Sequence, residues 1–454
     1  MTRHPRRSRQ PHGAVRLALA LVAAVVVGAG CESATEPSPS VPPSASPIAR
    51  GEPSAGTAPP GGDEGGGSTT PAPSAEGGGG GTPGGSPPAA SAVPTAAPSS
   101  PPPARRPFVA ADKGLAGEVF AFVTIDQVAD ATAELDWDAT STVVFFSLAA
   151  NANGRLVRDS RWRTWTSPKT DALIARAHET GTHVVFSLSR FSWSARDTKT
   201  STDLLASSVA RQRLAEDVAG EVVRRGIDGV NVDFEPIPRG QKANFTDLIR
   251  RIRLELDARG RGYQLTFDVL GHFESYDVAG SLAAGADAVY LMGYHYAGTF
   301  STIAHATAPL GGPRYSVGDA IDGLRKVARP DRIIVGVPYY GHIWPTASGS
   351  RNARTTGGGG DVLYRDARVL AERHPPRYDP AEAVQWSAWR VRDCASCALH
   401  WVQLYFDDAR SLTAKWSDFR QRGLRGTGFW TWGFQGDATD LRDALRAGWL
   451  VPKG

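Results

Sequence analysis

Cysteine is almost missing from this chain: three residues among 454, at positions 31, 394 and 397. A single Cys-x-x-Cys spacing exists, Cys394-Ala395-Ser396-Cys397, which cannot supply the four ligands of a structural zinc site. In an oxidising compartment a disulfide between Cys394 and Cys397 is the expected state. Acidic residues are absent from the first thirty positions, where five Arg are found. The formal net charge of +4 therefore belongs to that end, and without those five cations the remainder carries −1. So balanced a remainder gives no electrostatic ground for a nucleic-acid partner. The apolar run from Leu17 to Val27 falls short of the roughly 20 residues that a membrane helix requires.

What stands at that end is a leader over residues 1–31. Arg3, Arg6, Arg7, Arg9 and Arg16 precede the apolar core, and Gly28-Ala29-Gly30 then offers a small-residue cleavage site before Cys31. Small residues followed by Cys resemble a bacterial lipoprotein signal, with Gly28 where Leu is usual. The resemblance implies an exported cell-envelope protein with lipidated Cys31, touching the membrane only through that anchor; simple secretion is the alternative. Residues 32–107 are almost wholly Pro, Gly, Ser, Ala and Thr. Such a segment buries too little apolar surface to offset the entropy of ordering it, so a disordered linker is expected. All twelve Trp lie beyond it.

Residues 108–454 alternate between short apolar runs and helical stretches. Eight strand candidates are Val119–Ile125, Thr142–Leu148, His183–Leu188, Gly229–Phe234, Tyr263–Val269, Ala286–Gly293, Arg332–Pro338 and Gly426–Trp432. Between them, Ser167-Pro168 offers an N-cap followed by Pro at the first helical position, and Gly181 a stop. Phe245, Leu248, Ile249, Ile252 and Leu256 recur at helical spacing before Gly260. Eight strand–helix units imply parallel strands inside a ring of helices, an α/β fold of the (β/α)8 TIM-barrel type. About ninety residues separate the seventh and eighth strands, more than a helix needs. An inserted subdomain over about 343–400 is expected there, with Gly357 to Gly360 as a turn.

The most specific run is Asp228-Gly229-Val230-Asn231-Val232-Asp233-Phe234-Glu235, on the fourth strand. Alternation puts Asn231, Asp233 and Glu235 on one face, aimed into the barrel near the strand's C-terminal end, where such folds keep their catalysts. Two neighbouring carboxyls resist ionising together, so one keeps a proton that it can donate near neutrality.

This run resembles the strand-four signature Asp-Gly-x-Asp-x-Asp-x-Glu of family 18 glycoside hydrolases, with Asn231 at the middle Asp. Leu291-Met292-Gly293-Tyr294-His295-Tyr296 resembles their sixth-strand Met-x-Tyr-Asp, with His295 at the Asp. Gly336-Val337-Pro338-Tyr339-Tyr340-Gly341-His342 resembles the seventh-strand Gly-x-Pro-x-Tyr-Gly-Arg, with His342 at the Arg. Phe406-Asp407-Asp408 with Ser411, and Gly426-Thr427-Gly428-Phe429-Trp430, resemble the elements of the last barrel unit. The resemblance implies a monomeric retaining hydrolase of glycans containing N-acetylglucosamine, needing no metal or cofactor. Glu235 would be the acid and base, Asp233 and Tyr294 would hold the substrate's acetamido group, and Trp430 would stack beneath the sugar. Asn231, His295 and Trp344 are further substrate-binding candidates. Trp344, Trp432 and Trp193 either line sugar subsites or fill core. Chitin, peptidoglycan and N-glycans all carry the required sugar.

Two rivals follow from the same residues. A carbohydrate-binding barrel without catalysis would use the same cleft, although such proteins usually lack the catalytic Glu. A metal-dependent deacetylase would need His272, His295 and His342 around one ion, with Asp268 nearby.

Overall fold

A computed structural model describes residues 110–260 and 262–451. The leader, Cys31 and the linker 32–107 lie outside the described residues. Eight parallel strands close into a barrel: β1 (Glu118–Thr124), β2 (Thr142–Ala149), β3 (His183–Phe191), β4 (Gly229–Glu235), β5 (Gln264–Val269), β6 (Ala288–Met292), β7 (Ile333–Pro338) and β13 (Gly426–Trp430). Each falls on one of the eight apolar runs, and β3 extends three residues beyond its run, to Phe191.

The strands are buried on both faces because helices cover the outside. Val230, Val232 and Phe234 of β4 point outward, and the Phe234 ring lies 5.8 Å from Phe245 on the helix Lys242–Arg259. That helix buries Phe245, Leu248, Ile249, Ile252 and Leu256, the stripe that its sequence spaces for one face. Ser167 occupies the N-cap of Pro168–Glu179, but its hydroxyl donates to Thr164 O instead of capping the helix.

The barrel interior is layered. At the floor, Arg425 donates to Glu118 at 2.7 and 3.0 Å. In the middle, Phe120, Phe122 and Tyr290 meet with ring centroids 5.1–6.0 Å apart. The Tyr290 ring fits only because two neighbours lack side chains. A Cβ on Gly428 would fall 2.7 Å from that ring, and one on Gly336 would overlap the hydroxyl. The carboxyls of β4 sit above this plug.

Between β7 and β13 the chain builds a second, five-stranded sheet: β8 (Tyr340–Thr346), β9 (Gly360–Leu363), β10 (Arg377–Asp379), β11 (Val384–Val391) and β12 (His400–Phe406), in the order β10-β11-β12-β8-β9. The insertion thus spans 340–406, wider than 343–400, because β8 follows β7 after a single residue. Its core holds Trp344, Trp386 and Tyr405, closed by Ala297, Ala304 and Ala306 from the loop after β6. Cys394 and Cys397 are disulfide-bonded between β11 and β12. The last barrel unit is fastened by Lys415, wholly buried and paired with Asp407, while Asp408 caps the helix Ala409–Gln421 through Ser411.

Gly336→Ala is expected to lower stability by about 1–3 kcal/mol through overpacking against Tyr290. Because the nearest atom is the hydroxyl, adding Tyr290→Phe should recover part of that loss. Thermal or urea unfolding of both variants measures it, and equal instability with and without the hydroxyl would refute this account of the plug.

Candidate active site

The site begins where β4 ends. Strand alternation turns Asn231, Asp233 and Glu235 inward, and barrel closure takes them from water: they are 0, 2 and 8 % exposed. The carboxyls of Asp233 and Glu235 are hydrogen-bonded to each other, an arrangement that requires a shared proton. Oδ1 of Asp233 is fully enclosed, and no N–H or hydroxyl donates to it. Beside Asp233 in register, Ser189 of β3 bonds Ser147 of β2 at 2.8 Å.

Burial raises Asp233 well above the usual carboxylate range, and the charges of Glu235 and Asp268 push it the same way. Burial also lifts Glu235, to about 7, against the hydrogen bond from Asp233. The pair therefore holds a proton near neutrality that isolated carboxyls would have released.

Around this pair stand aromatic walls. Trp430 is half-buried at the end of β13, edge-on to Phe146 at 4.5 Å and 5.7 Å from Phe122. Tyr294, just past β6, is buried and feels the charges of Glu235 and Asp268. His295 follows in the left-handed region at φ 65°, its ring edge-on to Tyr294 at 5.6 Å and 5.7 Å from Tyr340. Partial burial and the neighbouring His342 lower its pKa, which favours the neutral imidazole. His342 itself is buried, with Nε2 3.0 Å from Asp361 of β9.

Several sequence expectations change here. Trp344 is fully buried in the second sheet, its indole N–H donating to Gly298 O at 3.1 Å, so it fills core and cannot touch a substrate. Trp432 is likewise packed on the barrel's outer side, by Tyr339 and Phe429. Asn231 does not reach the cleft either. Its amide donates to Asp268 at 2.6 Å and to Thr266 at 3.0 Å on β5, which makes it a support for the acids instead of a substrate contact. Trp193, by contrast, is 69 % exposed and stacks on Phe191 at 4.6 Å, at the mouth beyond β3.

The deacetylase reading fares poorly on geometry. His272 stacks on Tyr315 and His342 faces Asp361. Among the described residues no three His, Cys, Asp or Glu side chains are arranged so that they could hold a metal ion, and His272, His295 and His342 do not form such a group. What the sequence reading had given no part among the acids is Asp268. Its signal was present: on β5, Thr266 and Asp268 alternate inward exactly as Asn231 and Asp233 do on β4.

Residues 114–435 match the sequence profile of Glycosyl hydrolases family 18. The chain is 26 % identical over 249 residues to the cortical fragment-lytic enzyme of Bacillus subtilis, covering 51 % of this chain and 52 % of that one. Against chitotriosidase-1 of Mus musculus it is 27 % identical over 260 residues, covering 50 % and 54 %. The chain spans about half the length of these curated relatives. The barrel superposes on a chitinase from Cycas revoluta, solved with a trimer of N-acetylglucosamine, at a TM-score of 0.63 and 17 % identity over 73 % of this chain and 99 % of that one. That likeness is one of fold.

The raised acids have a consequence for stability. A carboxyl lifted by folding makes the folded state hold more protons than the unfolded one, so stability is full below its unfolded pKa and falls as pH rises through the folded value. For Glu235 that window runs from 4.5 to about 7 and is worth about 3 kcal/mol. Glu235→Gln should therefore raise the thermal midpoint at pH 8 and leave it unchanged at pH 4, as scanning calorimetry would show. A variant no more stable than the wild type at pH 8 would mean that Glu235 ionises without cost.

Proposed function

The chain belongs to glycosyl hydrolase family 18, and from that premise we propose that it cleaves β-linked glycans containing N-acetylglucosamine, with Glu235 as acid and base. The observation that carries this reading is the buried pair of carboxyls, Asp233 and Glu235, facing each other at the end of β4, where burial lifts Glu235 to about 7. Glu235 gives its proton to the glycosidic oxygen as that bond to the anomeric carbon breaks. The substrate's own acetamido oxygen closes on that carbon and forms an oxazolinium ion, whose N–H the Asp233 carboxyl accepts. Water then attacks the anomeric carbon as its bond to the acetamido oxygen breaks, which restores the N-acetyl group, and Glu235 takes the proton of the water. No enzyme nucleophile is needed, an exception to the two-carboxylate scheme. Tyr294 is positioned to donate to the acetamido oxygen, and the half-buried face of Trp430 to carry the apolar side of the sugar.

Oligomers of the chitin type or wall glycan strands fit this chemistry equally. The cortical fragment-lytic relative and the leader ending at Cys31 support action at the cell envelope, with the protein exported and lipid-anchored.

The test is hydrolysis of chito-oligosaccharides and of purified peptidoglycan, beside Glu235→Gln. Cleavage of either is expected, falling at least about 100-fold in the variant while sugar binding persists. No cleavage of either, with binding equal in both proteins, would leave a carbohydrate-binding barrel. For the anchor, Cys31→Ser should move the protein from the membrane fraction to the medium; retention in the membrane would rule out attachment at Cys31.

A further inference from the structure

β4 and β5 run in register from Gly229–Gln264 to Val232–Phe267, which sets Asp268 beside Asp233 on the inward face. Asp268 is 2 % exposed, and its Oδ1 accepts the Asn231 amide at 2.6 Å. The barrel thus encloses three carboxyls, Asp233, Glu235 and Asp268, above the Tyr290 plug. The signature's middle Asp is absent from β4, yet a third carboxyl stands one strand away, held by the residue that replaces it.

Among the described residues no cation bears on this cluster. The titratable groups that bear on Asp268 and its neighbours are Asp233 and Glu235 from β4, Tyr290 from β6, Tyr294 just past it, Tyr276 from the segment after β5 and Tyr340 from β8. The four tyrosines are buried and held above their ordinary range, so they remain neutral. The charges that bear on Asp233 are therefore those of Glu235 and Asp268. Burial, together with the charge of Glu235, raises Asp268 well above the usual carboxylate range, and the amide N–H that Asn231 donates to Oδ1 works the other way, favouring its ionised form.

Resting on the reading above, we propose that Asp268, held by Asn231, is a positioning residue that keeps Asp233 protonated beside Glu235. After Glu235 has given its proton to the leaving oxygen, Asp233 must still hold its own so that it can bond the new carboxylate. A like charge beside Asp233 makes that proton harder to lose. Asp268 touches no substrate; it acts through the pair.

The experiment moves the carboxyl. In Asp268→Asn the shape and the acceptor for Asn231 are kept, but the charge is gone. In the double variant Asn231→Asp/Asp268→Asn the charge returns on β4, now bonded by the amide on β5. The alkaline limb of kcat/KM should shift down by about one pH unit in Asp268→Asn, with little change in KM at the acid limb, and return in the double variant. An unshifted limb in Asp268→Asn, or no return in the double variant, overturns the proposal. Should Asp268→Asn fail to fold, the double variant alone decides, by a wild-type limb or a displaced one.

A second readout needs no turnover, which separates this proposal from failure of the hydrolase reading. The effect of Glu235→Gln on the thermal midpoint at pH 8 should be smaller in the Asp268→Asn background than in the native one, because the pair then ionises more easily. Additive effects would show that Asp268 is only a structural acceptor.

Discussion

Everything at the mouth of this barrel answers to one electrostatic constraint: acidic side chains are enclosed where water cannot solvate their charge. Closing eight parallel strands buries Asp233, Glu235 and Asp268 together; burial raises all three, and the charge of Glu235 makes Asp233 and Asp268 harder still to ionise. A fold that stabilised only its folded form would place apolar residues there. Retaining acids at such a place costs stability above about pH 5, and the cost is compensated elsewhere in the structure.

That compensation is packing. Below the acids, Tyr290 fills the barrel against Phe120 and Phe122, in space left by Gly336 and Gly428. Outside, the helices bury continuous apolar stripes against Val230, Val232 and Phe234. The rest of the last unit is tied by the enclosed Lys415–Asp407 pair, in which neither charge could stay buried alone. The second sheet adds a wall on one side of the mouth, stiffened by Trp344, Trp386 and Tyr405, and places Asp361 against His342. The chemistry therefore sits on rigid elements instead of on loops.

Much of this was legible in order along the chain. The eight strands were readable because a strand buried on both faces needs an unbroken apolar run, and Gly or Ser–Pro punctuates the helices between them. Asp233 and Glu235 were readable because acidic residues alternating on a buried strand cost free energy to enclose, which sets them apart from the apolar residues around them. The aromatics were not. Trp344, Trp432 and Trp193 all follow barrel strands, yet two fill core and one stands in solvent. Local sequence is alike in the three cases; only the second sheet, folding back over β8, decides that Trp344 is enclosed.

The same division holds for the acids. Sequence alone determined which residues lie on the inward face of β4, since a two-residue period follows from strand geometry wherever the strand is placed. It also determined the barrel class and the family motifs. Tertiary structure decided which strand lies next to β4 and in what register, and hence that Asn231 faces Asp268 rather than a substrate. Burial, proton sharing and the charge count of the cluster are properties of that neighbourhood. Residues thirty-seven positions apart become partners only when the barrel closes, because electrostatic coupling depends on distance and on the exclusion of water, neither of which a linear sequence contains.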